Sequence, residues 1–369
     1  MQYENPERLA AKATNPDASP TTSACYTSAQ MELFRFDPPT LTDDQVVSVA
    51  AERYGIHGST QRLRGERSHN TLFTTPDRGQ VVLKIASPSE PEGTIEFHAD
   101  ALVHLERHAP ELPIARMIPS VDDELVPVLE HHGRPHSMRL VTYLPGITFG
   151  DDQHISAHGL GTIGNLIGAL SAALADFGHP AAAEFMPWDI ANGLILDDEL
   201  WAGLSRDARA VLSPARARLE AAHEAMDALP RQIIHNDGHA GNLLRSGPDS
   251  DLATGVIDFG DLVHTVTAAD VGISGANLVP HQVDPVAALV ALTAGFHSRQ
   301  PLAESEIDTI PELVLCRLAL STLLVEHQIA TAPHIADAVA EELPGLLAGT
   351  ERWLTLDPAR IAEQIREAL

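Results

Sequence analysis

The sequence predicts an α+β fold of two lobes, in which a small antiparallel sheet with one helix precedes a larger and mostly helical region. Three observations support this prediction. Short apolar runs typical of strands dominate the chain up to Tyr143. Leu144-Pro145-Gly146 then interrupts the pattern and marks a hinge. Beyond the hinge, apolar residues recur at intervals of three and four, which indicates helices with one buried face.

The predicted division of the chain has three parts. Residues 1–30 are rich in Ala, Thr, Ser, Pro and Asn and show no periodicity, so we expect a mobile tail. Residues 31–143 form the predicted N-lobe, and residues 144–369 form the predicted C-lobe.

The N-lobe begins with a predicted helix from Thr42 to Tyr54, because Thr42 is a suitable N-cap and Gly55 follows the last turn. Alternating apolar runs then predict strands, two of which are joined by the turn Pro76-Asp77-Arg78-Gly79. A helical pattern at 93–108 is inserted after the third strand. The predicted strands are 59–64, 70–75, 80–86, 115–118, 125–130 and 137–143.

The C-lobe begins with a helix whose apolar stripe is formed by Leu160, Ile163, Ile167, Leu170, Leu174 and Phe177. Asn165, Ser171 and Asp176 interrupt this apolar stretch, so we expect a core helix and not a membrane span. Short apolar strands follow at 232–234 and 254–257. Further helical patterns lie at 265–278, 284–296, 310–327, 336–347 and 358–368.

Two acidic clusters follow these two short strands. The first, His235 to Asn242, places Asp237 and Asn242 five residues apart, and the second is Asp258-Phe259-Gly260. The catalytic loop of a kinase has the order His-x-Asp-x-x-x-x-Asn and is followed by Asp-Phe-Gly. In that order the first Asp accepts the hydroxyl proton, while the Asn and the second Asp hold Mg²⁺. The clusters therefore predict a magnesium–phosphate site with a base beside it.

Two other interpretations of these clusters are weaker. The residues could serve turn geometry alone, since Asp, Asn and Gly are common in turns. His235 and His239 also form a His-x-x-x-His pattern, but a zinc protease needs a helix with Glu after the first His. Asn236 occupies that position, and Gly238 is a poor helix residue.

Lys84 is one of only two lysines among 24 basic residues, and it lies in the apolar strand 80–86. An unpaired ammonium group would be costly in that position. A compact positive charge suits phosphate oxygens, so we interpret Lys84 as a nucleotide-binding residue. The alternative is a lysine that extends its charge to solvent at the edge of the strand.

Charge and cysteine content limit the classes of partner. The formal net charge of -27 argues against nucleic acid and anionic membranes as partners. This charge is better explained by solubility than by a cationic substrate. Cys25 and Cys316 form no paired motif, and acidic residues rule out a targeting peptide at the N-terminus, so we expect a cytoplasmic protein.

Four stretches of the chain resemble the aminoglycoside phosphotransferase and choline kinase superfamily, and within it the hydroxylysine kinase branch. The likeness extends from about Pro38 to His327. It is carried by Glu66-Arg67-Ser68-His69-Asn70, Val82-Leu83-Lys84-Ile85, Ala173 to Pro180 with Trp188-Asp189, and Gly255 to Thr265. The resemblance implies a protein-kinase-like two-lobed fold and a phosphotransferase whose acceptor is an alcohol group.

The resemblance also implies roles for individual residues. Asp237 is expected to be the catalytic base, and Asn242 and Asp258 the Mg²⁺ ligands. The residues expected to bind ATP or GTP are Lys84, Glu96, Ser68, His69, Asn70, Val141 and Tyr143. The turn at Glu66–Asn70 would lie over the phosphates, and the segment Leu140–Leu144 would contact the base through its backbone. Glu96 would pair with Lys84, although an alignment of apolar positions places His98 there. Asn236 stands where relatives usually carry Gly or an apolar residue.

The acceptor predicted from the resemblance is a small hydroxylated amine, with 5-hydroxylysine as the first choice. Asp189 and Asp261 would meet its ammonium groups, while Trp188 and Arg317 would line the pocket. An aminoglycoside, homoserine, ethanolamine or choline remains an alternative acceptor. A nucleotide-binding pseudokinase is the alternative outside this enzyme class.

Overall fold

The computed structural model describes residues 38–65, 67–150, 154–333 and 335–369. The tail predicted at 1–30 lies outside the described residues, as do 31–37 of the predicted N-lobe and Glu66 of the predicted phosphate-binding turn.

The first helix, α1 (Asp43–Tyr54), has the caps that the sequence predicts. The Thr42 hydroxyl accepts a hydrogen bond from the Gln45 N–H at 3.3 Å, and the Gln45 side chain accepts one from the Thr42 N–H at 2.9 Å. This reciprocal capping box satisfies two amide groups that the helix itself cannot pair. Gly55 ends the helix at a φ of 64°, a left-handed conformation that glycine adopts without strain.

A six-stranded antiparallel sheet forms most of the N-lobe. Its strand order is β1-β2-β3-β6-β4, and β5 pairs with β6. Helix α2 (Thr94–His108) follows β3, as the sequence predicts. The strands are β1 (Ser59–Leu63), β2 (Ser68–Thr75), β3 (Gly79–Ala86), β4 (Met117–Ile118), β5 (Val128–His131) and β6 (Arg134–Thr142).

The two faces of this sheet have different partners, because successive residues of a strand point to opposite faces. Leu83 and Ile85 of β3 pack in one cluster with the apolar residues of α1. Val82 belongs to the other cluster, which continues into the C-lobe. Lys84 shares the face of Val82, so the alternation of β3 directs its side chain toward the junction of the lobes.

The C-lobe is mostly helical. Its largest helix, α9 (Glu304–Thr331), extends beyond the predicted 310–327 at both ends and is buried along much of its length. The other helices are α3 (Ala157–Leu174), α4 (Asp198–Gly203), α5 (Arg206–Leu212), α6 (Arg216–Met226), α7 (Ala269–Leu278), α8 (Pro285–His297), α10 (Ala336–Ala340), α11 (Leu343–Leu354) and α12 (Pro358–Ala368). Helices α3 and α9 are long and apolar enough to cross a membrane, but 61% and 72% of their most apolar windows are buried inside the protein.

One predicted helix is wrong in its extent. The pattern at 336–347 forms two helices, α10 and α11, and not one. Pro344 lies in the first turn of α11, where its missing N–H costs nothing, whereas inside a continuous helix it would remove a hydrogen bond.

Two small sheets in the C-lobe position the acidic clusters. Strands β10 (Ala253–Val256), β9 (Leu243–Arg245) and β7 (Ile147–Thr148) form the first sheet, and β11 (Val263–Val266) pairs with β8 (Arg231–Ile234) in the second. The first cluster connects β8 to β9, and the second connects β10 to β11. Both connections therefore run between the same two sheets, which brings the clusters together.

Candidate active site

The backbone of the first cluster is held by a buried carboxylate. Asp270, in the first turn of α7, accepts hydrogen bonds from the N–H groups of Asn236 at 2.9 Å and His235 at 3.4 Å. Asn236 has a φ of 65°, a conformation that glycine and asparagine tolerate best. Asparagine therefore fits this position of the loop without a glycine.

Asp237 projects from this loop as a half-buried carboxylate. Its Oδ2 accepts a hydrogen bond from Asn242 Nδ2 at 2.7 Å, and its Oδ1 lies 3.7 Å from Arg317 Nη2. Burial raises the pKa of Asp237 well above its usual value, and the Asp261 carboxylate adds to this effect while Arg317 opposes it. A carboxylate with a raised pKa is a better proton acceptor, which suits a general base.

Asp258 and Lys84 form an ion pair between the lobes, with 3.5 Å between Lys84 Nζ and Asp258 Oδ1. The Lys84 charge is the main cause that holds the pKa of Asp258 well below its usual value. The Asp258 side chain is 50% exposed, so its carboxylate stays ionised and accessible. Asp258 follows strand β10 and has a φ of 61°, a left-handed conformation that the extended residues of the strand do not share.

The oxygen atoms available at these residues fit Mg²⁺. Asn242 donates its amide N–H groups to Asp237, which leaves its Oδ1 to coordinate a cation. Asp258 supplies carboxylate oxygens. Within the described part of the chain, no group of three or more His, Cys, Asp or Glu side chains is placed to hold a metal. Two protein oxygen ligands are nevertheless typical of Mg²⁺, which keeps several waters and binds nucleotide phosphates.

The expected pairing of Glu96 with Lys84 is wrong. Glu96 is exposed, whereas His98 is buried and its Nδ1 accepts a hydrogen bond from Arg139 Nη1 at 3.0 Å. Residues two positions apart on a helix point in nearly opposite directions, so α2 cannot present both inward. Arg139 lies directly across from Lys84 in the β3–β6 register, which adds a second cation on the inner face of the sheet.

The expected turn over the phosphates is also wrong for His69. Ser68, His69 and Asn70 lie in strand β2 and not in a turn. Asn70 is opposite Lys84 in the register and shares its face, with its Nδ2 bound to the Arg64 carbonyl at 3.1 Å. His69 points to the other face, where its Nδ1 lies 3.1 Å from the Pro39 carbonyl. The alternation of the strand therefore removes His69 from the phosphate side.

The segment expected to contact the nucleotide base is only partly available. Val141 is buried in the cluster of the inner face, opposite Val82 in the register, where it could pack against a base. The Tyr143 N–H donates to the Gln80 carbonyl at 3.0 Å. This N–H is therefore not available to a base, because the sheet already uses the donor.

Asp261 does not face an open pocket, as the sequence-based hypothesis of an ammonium contact requires. Its Oδ1 lies 2.9 Å from Arg67 Nη1, which also donates to the Gly260 carbonyl at 3.2 Å. Arg67 comes from the loop between β1 and β2, so this pair joins the two lobes. The structure corrects the role of Asp261 to a partner of Arg67.

The other residues expected at the acceptor differ in their availability. Asp189 is buried, and its Oδ1 accepts from the Thr265 hydroxyl at 2.7 Å and the Ala191 N–H at 3.0 Å, which makes it a structural residue and not an ammonium ligand. Arg317 lies over the Trp188 ring at 5.0 Å from its centroid and reaches Asp237. Of the four expected acceptor residues, Arg317 is the one that approaches the base, and Trp188 packs against Arg317.

Three residues of this site were not singled out individually from the sequence: Arg67, Arg139 and Asp270. Arg139 and Asp270 each carry a charge inside an apolar run, which is the signal that singled out Lys84. That signal could have identified both. Arg67 lies in a polar loop, where an arginine is unremarkable, so only its contact with Asp261 identifies it.

A family model described as "Phosphotransferase enzyme family" matches residues 59–304, from β1 to the first residue of α9. The chain belongs to this family. The match includes both acidic clusters and Lys84. The predicted enzyme class, a phosphotransferase that acts on an alcohol group, and the kinase-like two-lobed fold are therefore confirmed.

Named relatives agree with this assignment at low identity. The chain is 24% identical to a hydroxylysine kinase of Danio rerio over 311 residues, which are 80% of this chain and 86% of that protein. It is 28% identical to a homoserine kinase of Pseudomonas aeruginosa over 283 residues, or 74% of this chain and 84% of that one. The predicted resemblance to the hydroxylysine kinases is thereby confirmed.

Solved structures share the fold. A microcompartment-associated aminopropanol kinase has a TM-score of 0.66 at 20% identity, over 86% of this chain and 100% of that chain. The amicoumacin kinase hAmiN, in complex with AMP-PNP, Ca²⁺ and Ami, has a TM-score of 0.64 at 16% identity, over 84% of this chain and 93% of that chain. The protein is a small-molecule kinase of the same architecture.

Proposed function

We propose that this protein transfers the γ-phosphate of ATP or GTP to the hydroxyl group of an amino acid or amino alcohol, with 5-hydroxylysine as the first candidate. The observation that carries the proposal is the position of Asp237, a half-buried carboxylate hydrogen-bonded to Asn242. Beside it, the Lys84–Asp258 ion pair would supply a cation for the nucleotide phosphates and a carboxylate ligand for the metal.

Each residue would have a distinct part in the reaction. Asp237 orients the acceptor hydroxyl and takes its proton as the oxygen attacks the γ-phosphorus, a contribution that is typically about 10²–10⁴ in rate. The bond from the γ-phosphorus to the bridging oxygen breaks, and the nucleoside diphosphate leaves. Lys84 neutralises charge on the nucleotide phosphates.

Asn242 and Asp258 would hold Mg²⁺. Held there, Mg²⁺ would supply positive charge to offset the negative charge of the nucleotide phosphates. Their oxygen atoms suit a hard cation, and Asp258 stays ionised because of Lys84. ATP or GTP as the phosphate donor, Mg²⁺ as the metal and a cytoplasmic location are parts of the same proposal.

Homoserine is the second candidate acceptor, because the chain matches a homoserine kinase over 74% of its length. Ethanolamine, choline and aminoglycosides are the remaining candidates. A pseudokinase is disfavoured, since Lys84, Asp237, Asn242 and Asp258 are all present. The net charge of -27 opposes nucleic acid and anionic membranes as partners.

A phosphotransfer screen tests this proposal. Hydroxylated amines are incubated with the protein, Mg²⁺ and either ATP or GTP, and phosphorylated acceptor is measured directly. We expect turnover of 5-hydroxylysine above the rate of nucleotide hydrolysis. Turnover of an aminoglycoside without turnover of hydroxylysine would replace the first candidate, and nucleotide binding without transfer to any acceptor would favour the pseudokinase.

A further inference from the structure

Arg317 is a buried arginine beside the proposed base. Its side chain is 6% exposed. Its Nη1 donates to the Trp188 carbonyl at 2.7 Å, and its guanidinium group lies 5.0 Å from the centroid of the Trp188 ring. Trp188 therefore holds the guanidinium group through its Nη1 and through one of its faces.

The opposite edge of the same guanidinium group is not satisfied. Nε has no hydrogen-bond acceptor among the described residues. Nη2 lies 3.7 Å from Asp237 Oδ1, which is longer than a hydrogen bond. The N–H groups of Nε and Nη2 are parallel donors that match the two oxygens of a carboxylate. A buried donor without an acceptor is costly, so this edge is incomplete without a further group.

None of the three carboxylates near Arg317 is free to complete this edge. Asp237 is held by Asn242 at 2.7 Å and has to face the acceptor hydroxyl. Asp261 pairs with Arg67 at 2.9 Å, and Asp189 accepts from Thr265 at 2.7 Å. Each of them attracts Arg317 electrostatically, which keeps the guanidinium charge tolerable. Among the described residues, none of these carboxylates forms a hydrogen bond with the Nε/Nη2 edge.

We infer that the Nε/Nη2 edge of Arg317 binds a carboxylate of the acceptor, so that the substrate class is the hydroxylated amino acids. This inference rests on the proposed function and narrows it. It favours hydroxylysine and homoserine, which carry a carboxylate, over ethanolamine, choline and aminoglycosides, which do not. Arg317 lies outside the residues that the family model matches, so the family assignment alone does not specify this contact.

Matched acceptors that differ only in the carboxylate test this inference. The pairs are 5-hydroxylysine with 1,5-diaminopentan-2-ol, and homoserine with 3-aminopropan-1-ol. For the unchanged protein, we expect kcat/KM to favour the amino acid in the better pair by at least about 100-fold, because the amine would leave a buried charged donor unpaired.

The same pairs are then measured with Arg317→Gln and Arg317→Lys. We expect Arg317→Gln to reduce the preference for the carboxylate to within about 10-fold, chiefly through loss of activity on the amino acid. Arg317→Lys keeps the charge but loses the fork of donors. Its preference for the carboxylate should lie between that of the unchanged protein and that of Arg317→Gln. Arg218→Gln is the matched control, since Arg218 binds Glu312 of the same helix α9 at 3.1 Å, away from the base.

The possible outcomes separate this inference from the proposed function. Equal loss of activity on both members of a pair in Arg317→Gln would mean that Arg317 only supports Asp237, and would overturn the carboxylate contact. A preference of the unchanged protein for the amines would overturn it too, while the kinase proposal would stand. If no hydroxylated amine is phosphorylated, both the carboxylate contact and the proposed function are contradicted.

Discussion

At the scale of single residues, the two acidic clusters depend on backbone conformations that are rare outside glycine. Asn236 and Asp258 have φ values of 65° and 61°. Such conformations cost about 1–3 kcal/mol each and persist only where the surroundings enforce them. For Asn236 the surroundings are visible, since Asp270 accepts hydrogen bonds from the N–H groups of Asn236 and of His235 before it. The positions of Asp237 and Asn242 are therefore set by a residue outside the cluster.

Replacing Asp237 by Asn tests the proposed base. The amide keeps the size of the side chain but cannot accept the hydroxyl proton, so we expect kcat to fall by about 10²–10⁴. Nucleotide affinity, measured by calorimetry, should change little because Lys84 and Asp258 remain. Turnover close to that of the unchanged protein would exclude Asp237 as the base.

Asp270 provides a prediction about pH. Burial raises its pKa to about 7, whereas an unfolded Asp titrates at about 3.9. The folded protein thus binds more protons than the unfolded chain between these values, so Asp270 makes the free energy of unfolding fall as pH rises from about 4 to about 7. We expect a shallower fall for Asp270→Asn in denaturant titrations across this range.

The control for this comparison is Asp284→Asn, which removes a carboxylate from the exposed N-cap of α8. We expect its dependence on pH to follow that of the unchanged protein more closely. An unchanged slope in Asp270→Asn would show that Asp270 is ionised throughout this range.

At the scale of elements, helices α3 and α8 approach each other through small residues. A Cβ added at Gly164 would overlap the Leu292 carbonyl, and one added at Gly168 would lie 2.5 Å from the Phe296 carbonyl. Glycine is otherwise unfavourable within helices. Its presence at these two positions therefore reflects close contact of the helix backbones, and α3 in turn lies against the first catalytic loop, where Ile167 would meet a Cβ at Gly238.

Two glycines of α3 should respond oppositely to alanine. Gly164→Ala forces an overlap with the α8 backbone and should lower the free energy of unfolding by about 1–3 kcal/mol. Gly161→Ala is the matched control, because its Cβ would lie 3.7 Å from the Ala291 carbonyl, an ordinary contact. The better helix propensity of alanine should make that variant more stable by up to about 1 kcal/mol. Equal effects in thermal unfolding would contradict this account of the helix contact.

At the scale of the whole molecule, charged residues join the two lobes where the chemistry is proposed. Lys84 pairs with Asp258, and Arg67 pairs with Asp261. In both pairs the N-lobe contributes the cation and the C-lobe contributes the anion. Both pairs are partly shielded from solvent, where ion pairs are stronger than at an open surface. The distance between the lobes is therefore coupled to the charge state of the site.

A double-mutant cycle on Arg67→Gln and Asp261→Asn tests this coupling. If the pair joins the lobes, the two single changes and the double change should lower the free energy of unfolding by similar amounts, with an interaction energy of about 0.5–3 kcal/mol. Arg366→Gln, which breaks an exposed pair with Asp308, is the control and should cost no more than about 1 kcal/mol. Additive effects of the two changes would show that the pair contributes no coupling.

The sequence by itself determined the order of elements and the chemistry of the two acidic clusters. Both are local: the capping box at Thr42, the alternation of β3 and the spacing from Asp237 to Asn242 each depend on a few neighbouring residues. These patterns predicted a kinase-like fold of two lobes, and the resemblance of four stretches indicated its family. The two acidic clusters together were the strongest local indicator of the site, and the lone charge of Lys84 in an apolar strand supported them.

Only the tertiary structure decided which of these residues meet. Strand register decides the direction of His69, and helix phase decides that Glu96 does not pair with Lys84. The pairing of Lys84 with Asp258, and of Arg67 with the second acidic cluster, depends on contacts across 174 or more positions of the chain. A one-residue error in phase reverses the face of a side chain in a strand. For this reason the sequence predicted the base and the metal ligands, while the fold alone left Arg317 beside Asp237 with an unsatisfied edge.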